Sequence, residues 1–433
     1  MKWTPSVFLG LILALSGLPP GSLLAQEKPA KRSGKLLESL GLLPFVRFSE
    51  DQGFGYGLVV QWDDKRSPEY TPYYLSHRFS FERTTRNIQD YIYRFDSKYL
   101  LPADLRLTFE ARYQASLFEP YHGPGGAQTR FDDRYIAWDG DADQPEYPDH
   151  YRGKFYYMYD KRYVQVNTLV QGWLKEELGL RWLAGLNILS TKVDTVTYTD
   201  FVDDDPGEQT LLAHQWASLG ADTAGGSENG LMAGVVWDRR DHETSPHEGF
   251  WSEILLRWVP DLLGNDFAYT VFTATHRQYV PLSRTLTFAF RLGGRFMTAG
   301  APFFSVPRLD GSFTSTTGLG GNSTVRGVLW QRAVGKRYLY GNLELRFRFL
   351  PLLRTGYMAA SGFYDFGRSF DDEPAAGLYD KGAGADRLHQ GLGFGLRIAP
   401  SNTFILALDL GFPVDGDLDG PGLKVYMGLD WLF

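Results

Sequence analysis

The side chains best suited to bond-making chemistry are few and poorly placed. The chain has no cysteine, which excludes thiolate nucleophiles, Cys-ligated metals and a disulfide framework. It has no Gly-x-Ser-x-Gly elbow and no phosphate loop; Gly335-Lys336 lacks the glycine-rich lead and the following hydroxyl residue. His242 and His247, with Glu243 and Glu248, could bind a metal adventitiously, but their spacing fits no helical zinc motif. Asp203, Asp204 and Asp205 could hold Ca²⁺ weakly; a solvated acidic loop is the simpler reading. Gly225-Gly226, and Gly382 with Gly384, read as loop flexibility. His77 falls on an apolar row and Ser76 and Ser80 on the opposite one, so the Ser/His pair of a membrane lipase is not formed there. No catalytic residue, cofactor or metal site is expected.

The remaining charged residues sit at alternate positions within apolar rows, and that alternation defines the elements. Leu105, Leu107, Phe109, Ala111, Tyr113, Ala115 and Leu117 are apolar; Arg106, Thr108, Glu110, Arg112, Gln114 and Ser116 between them are polar. A strand points successive side chains to opposite faces. Soluble strands usually run about 5–6 residues, so a dozen alternating positions fit a strand that crosses a bilayer. The pattern returns at Phe54–Trp62, Leu286–Leu292, Leu343–Phe349 and the row Leu423, Val425, Met427, Leu429, Trp431 and Phe433. It predicts strands at 44–49, 52–62, 73–83, 89–100, 104–117, 160–174, 177–191, 229–238, 249–259, 267–280, 284–297, 336–349, 355–367, 389–399, 403–412 and 422–433. The fold class is therefore all-β: a transmembrane antiparallel β-barrel of about 16 strands, an even number as single-chain bacterial barrels require. The long connections 118–159, 192–228, 298–335 and 368–388 all follow odd-numbered strands and so lie at one end. Tight turns such as Leu101-Pro102-Ala103 and Pro281-Leu282-Ser283 lie at the other.

The bulk properties agree. Of 433 residues, 15% are aromatic and 48 are glycine, as expected where only one strand face is apolar. The net charge of −7, from 44 basic and 51 acidic residues, leaves no basic footprint for nucleic acid. Residues 1–25 read as a cleavable signal peptide, with Lys2, the apolar run Val7–Leu15 and a cut after Ala25. Residues 26–43 read as a short periplasmic leader with a basic tail at Lys28, Lys31, Arg32 and Lys35. The barrel is expected over 44–433, in the bacterial outer membrane.

Four motifs between residues 230 and 433 carry a family likeness. Val236-Trp237-Asp238-Arg239-Arg240-Asp241, with Pro246 and Gly249 downstream, looks like an Asp-x-Arg-Asp turn. Gly318-Leu319-Gly320-Gly321-Asn322-Ser323-Thr324-Val325-Arg326-Gly327 looks like a long external loop ending in Val-Arg-Gly. Asn342-Leu343-Glu344-Leu345-Arg346-Phe347 looks like the strand that follows it. Phe363-Tyr364-Asp365-Phe366-Gly367 matches Phe-x-Asp-x-Gly. In this order, before a terminal Phe433 of the kind found on barrels inserted by the barrel-assembly machinery, they resemble the BamA/TamA superfamily of outer-membrane assembly and secretion barrels, the bacterial surface antigen family. The resemblance implies that loop 298–335 folds into the lumen and that Arg326, between Val325 and Gly327, meets Glu344 and Asp365. Parity places Glu344 on the lumen face, together with Phe363, Asp365 and Gly367. Val328 stands where the family usually has an aromatic residue. The leader is far below the roughly 50 residues of the smallest ordinary domain, so POTRA modules are not expected.

The function so implied is insertion or translocation of protein or lipid at the outer membrane. It would involve a separate periplasmic partner or passenger and contact with outer-membrane lipid and lipopolysaccharide. A passive porin-like channel is the alternative, and an outer-membrane enzyme ranks last. The short first strand is expected to make the junction with the last one the weakest in the barrel.

Overall fold

In hydrocarbon every backbone N–H and C=O needs a protein partner, so a sheet that spans it has to close. The computed structural model shows this closure. It describes residues 40–49, 52–67, 70, 73–123, 132, 135–136, 155–195, 210–214, 224–312, 315–352, 356–370, 388–401, 404–420, 422–429 and 431–433. The signal peptide, the leader up to residue 39, the acidic triplet 203–205, Gly382 and Gly384 lie outside the described residues.

Sixteen antiparallel strands, each paired with its sequence neighbours, form the barrel. They are β1 Leu40–Ser49, β2 Gly53–Asp64, β3 Leu75–Thr84, β4 Ile88–Ser97, β5 Arg106–Pro120, β6 Met158–Lys175, β7 Leu180–Asp194 and β8 Gly230–Asp238. They continue as β9 Gly249–Val259, β10 Tyr269–Pro281, β11 Leu286–Met297, β12 Arg337–Leu352, β13 Gly356–Ser369, β14 His389–Ser401, β15 Phe404–Pro413 and β16 Lys424–Leu429. A short extra strand, Gly225–Ser227, adds to β7. The long connections follow β5, β7, β11 and β13, so they share one end, as the alternation predicts.

The two faces separate by parity. On β12, Leu339, Leu343, Leu345 and Phe347 are exposed outward, whereas Tyr338, Tyr340, Asn342, Glu344 and Arg346 are buried inward. At the long-loop end the lumen is roofed by an aromatic cluster that includes Tyr121, Tyr157, Tyr159, Phe267, Tyr269 and Phe304.

Two expectations are corrected at the strand that closes the barrel. β1 begins at Leu40, not at residue 44, and pairs with β2 along its whole length, from Leu40↔Trp62 to Ser49↔Gly53. β16 ends at Leu429, not at residue 433. Beyond it the chain turns inward, so Trp431 and Phe433 do not complete the lipid-facing row but are 8% and 6% exposed. Inside, Trp431 lies 4.4 Å from the Arg346 guanidinium and 4.8 Å from that of Arg397. Phe433 lies 4.8 Å from Arg346 and 5.2 Å from Arg291. Cation–π contacts of this kind are strongest where water is excluded. Among the described residues the seam between β1 and β16 consists of Phe48↔Met427 and Ser49↔Tyr426, whereas β11 and β12 pair from Leu286↔Phe347 to Phe296↔Arg337.

Candidate functional site

The loop after β11 runs back into the lumen. It carries a two-stranded hairpin, Arg308–Leu309 with Thr316–Thr317, and is fastened at several depths. Near its start Lys161 donates to the Phe304 carbonyl at 2.6 Å, and Arg295 donates to the carbonyls of Val306 (2.5 Å) and Arg308 (2.6 Å). Asp310 takes 2.8 Å ion pairs from Arg257 of β9 and from Arg308. Burial opposes the charge on Asp310, but the two guanidiniums outweigh it and hold its pKa down to about 2. Further along, Arg291 donates to Ser323 O at 2.8 Å and Asn342 to Thr324 O at 2.6 Å. Phe303, Phe304, Val306, Leu309 and Leu319 of the loop all join the interior clusters; Phe313 lies outside the described residues.

Arg326, at the loop tip, is completely buried. Its Nε and Nη2 fork onto Asp365 of β13 at 2.8 and 3.1 Å, and its backbone N–H donates to the same carboxylate at 3.1 Å. Nη2 also lies 2.7 Å from Glu344 Oε1 of β12, an ion pair without hydrogen-bond alignment. Nη1 reaches Asp409 of β15 at 3.3 Å. The guanidinium lies 3.5 Å from the centroid of the Phe363 ring. A buried guanidinium with this many fixed acceptors is geometrically specific.

The strands leave room for the tip. Gly327 has φ +94°, a conformation that favours glycine, and its N–H donates to Tyr426 Oη of β16 at 3.2 Å. A Cβ on Gly391 of β14 would lie 1.8 Å from the Arg326 carbonyl oxygen, so only glycine admits the loop there. Val325 and Val328 are fully buried, and Gly367 lies against Leu319 and Val325. Val328 thus fills the position where an aromatic was expected.

Asp409 was missed. In Phe404–Pro413 it is the one carboxylate on the inward row, opposite Leu406, Leu408 and Leu410, and that isolation is the signal that could have found it. It binds Arg397 as well, at 2.7 and 2.9 Å. Glu344 is likewise shared, with Arg346 at 2.8 Å.

The Asp-x-Arg-Asp turn joins β8 to β9 at the short-turn end. Asp238 takes both Nε and Nη2 of Arg240 at 2.9 Å. Asp241 Oδ1 accepts the backbone N–H groups of His242, His247 and Glu248 at 2.9, 2.9 and 3.2 Å. Arg239 donates to Glu177 O at 2.8 Å, and Gly249 has φ +97°. This turn stands apart from the Arg326 cluster. Among the described residues no three His, Asp or Glu side chains gather as a metal site needs, and His247 meets the Thr287 hydroxyl. Phe433, expected as an outward insertion signal, has its side chain in the lumen.

The loop reaches the β2–β6 side of the lumen through Arg308, Gly311, Ser312 and Ser315 without closing the space there. A cavity of about 250 Å³ is bordered there by Gln61, Arg78, Arg94, Asp96, Arg106 and Glu110.

Residues 184–431 match the Omp85 superfamily domain. No curated protein matches the sequence. Among solved structures, BamA from Haemophilus ducreyi lacking POTRA domains 1–3 is similar over 90% of this chain and 70% of that one, with a TM-score of 0.57 at 13% identity. CdiB from Escherichia coli is similar over 90% of this chain and 62% of that one, with a TM-score of 0.55 at 12% identity. CdiB from Acinetobacter baumannii is similar over 90% and 59%, with a TM-score of 0.52 at 12% identity. This chain therefore spans less than two thirds of either CdiB structure. At these identities the likeness is one of fold.

Proposed function

The chain belongs to the Omp85 superfamily, and from that premise we propose that this outer-membrane barrel inserts or translocates protein or lipid by opening between β1 and β16. The long loops face outward and the short turns face the periplasm, where a separate partner delivers the client. The seam carries the reading. Among the described residues two pairs hold it, and along Leu40–Arg47 the β1 edge has no β16 partner. An unpaired edge is a template for another strand. Continuing the observed register would set Leu429 opposite Val46, Trp431 opposite Pro44 and Phe433 opposite Leu42. Their side chains would then point into lipid, as the alternation of Leu423–Phe433 demands. Val46 and Leu42 are 51% and 63% exposed, ready for such neighbours. The C-terminal segment thus has two consistent positions, tucked in the lumen and zipped on β1. The Arg326 latch keeps the lumen plugged while the seam moves.

The test is a lock. Val46→Cys with Leu429→Cys, in a chain without other cysteines, should form a disulfide and stop client insertion, with recovery on reduction. Equal activity of locked and unlocked barrels would remove lateral opening from the mechanism. A passive channel is the second reading, supported by the cavity beside β2–β6. It expects Arg326→Ala to change conductance or ion selectivity without freeing the loop.

A further inference from the structure

One buried hydroxyl joins the periplasmic turn to the C-terminal segment. Tyr357, at the start of β13, shares its hydroxyl between the Ser245 hydroxyl and the Trp431 indole N–H, the latter at 3.3 Å. Ser245 belongs to the β8–β9 turn, and Trp431 to the segment that leaves β16 and tucks inward. Arg348 secures the arrangement. Its Nη2 donates to the carbonyl and the hydroxyl of Ser245, both at 3.1 Å, and its guanidinium lies 4.6 Å from the Tyr357 ring. Ser245, Tyr357 and Trp431 are all buried. The other side of the same turn is exposed and charged, at Arg239, Asp241, Glu243 and Glu248. The turn itself is stiff, because Asp241 gathers three of its backbone N–H groups.

We propose that the β8–β9 turn is a catch that holds the C-terminal segment in its tucked position, with Tyr357 as the positioning residue. Load on the exposed side of the turn moves Ser245, withdraws its bond from Tyr357 and frees Trp431 to pass from the lumen to the β1 edge. This inference rests on the two-position reading of the seam and adds what sets the balance between the positions. The motif Asp238-Arg239-Arg240-Asp241 then does more than reverse the chain: it gives the catch its rigidity.

The Val46→Cys and Leu429→Cys pair reports zipping as the rate of disulfide formation in outer-membrane vesicles. Tyr357→Phe removes the shared hydroxyl and keeps the ring beneath Arg348. It should speed disulfide formation about fivefold, the effect of one lost hydrogen bond. Trp431→Phe should give a similar rise, and the two together no more than either alone, because they break the same bond. Heat-modifiable migration in gels checks that each variant still forms a barrel. If Tyr357→Phe leaves the rate unchanged while Trp431→Ala raises it, the catch is overturned and the mobile segment stands. If no variant forms the disulfide, Trp431→Ala included, the seam reading fails and the catch with it.

Discussion

Arginine–carboxylate pairs line both sides of this lumen, in different surroundings. On the β12–β15 side Arg326 has no exposure, and neither do Glu344 and Asp365. On the β1–β5 side Arg47, Arg94, Arg106 and Arg112 pair with Glu82, Glu110, Asp96 and Asp90, and these guanidiniums keep 21–31% side-chain exposure. The first arrangement exists because a loop fills the space and takes its cation along. The second exists because the loop brings no side chain into these pairs, so neighbouring strands neutralise each other beside a cavity that the loop only borders. A paired charge cut off from water is costly to orphan, whereas a wetted pair contributes little. Identical residue types thus fasten one half of the barrel and merely hydrate the other.

Arg326→Ala should break this contrast most visibly. It leaves Asp365 and Glu344 buried together without their cation, a loss of about 3–5 kcal/mol. New protease cuts between residues 298 and 335, in a barrel that still inserts, are the expected result. A loop as resistant as in the parent would remove the latch. Gly391→Ala comes next, since its methyl would collide with the Arg326 carbonyl; overpacking of this kind costs about 1–3 kcal/mol. Gly362→Ala is its control, with nothing within 4 Å of the added atom. Loop proteolysis should rise in the first and not in the second, and equal behaviour would mean that the tip does not pack there. Asp365→Asn keeps the shape and loses the charge, so it should loosen the loop in the same direction as Arg326→Ala but less. Arg94→Ala sits at the far end of the scale, at about 1 kcal/mol or less. Its effect on thermal unfolding should shrink further in 1 M salt, where the screening length is about 3 Å. The Arg326 effect should persist there. Salt sensitivity of both, or of neither, would erase the difference between the two halves.

Much of this architecture was legible because alternation records which face meets lipid. Apart from the start of β1, the strands fall where apolar and polar residues interleave, and the placement of long loops follows from their parity. The meeting of Arg326 with Glu344 and Asp365 was not legible from alternation, which gives a face but no partner; it came from motif resemblance. Asp409 escaped because no motif contains it. Trp431 and Phe433 were misplaced for a different reason. Their alternation describes a position on the β1 edge, while the guanidiniums of Arg346, Arg397 and Arg291, distant in sequence, draw them inside. The β1 start was misjudged because Leu40–Phe45 is apolar on both faces, so period two is hidden where the strand lacks a neighbour on one side.

The loop tip touches strands made after it. Arg326 binds Asp409, 83 residues further along the chain, and Gly327 binds Tyr426, 99 residues further. Contacts of such separation form only after the entropy of closing long segments has been overcome. The plug is not fully seated in a half-built wall: its sockets are complete only once β12 to β16 stand side by side. Docking of the tip is expected to be the last folding event, so a chain stalled before β16 should keep an exposed, cleavable loop. Pulse-labelling during refolding should find residues 318–332 protected last, and their protection ahead of β14–β16 would reverse this order. The latch is in that sense a checkpoint on the barrel's own completion, set by chain order as much as by charge.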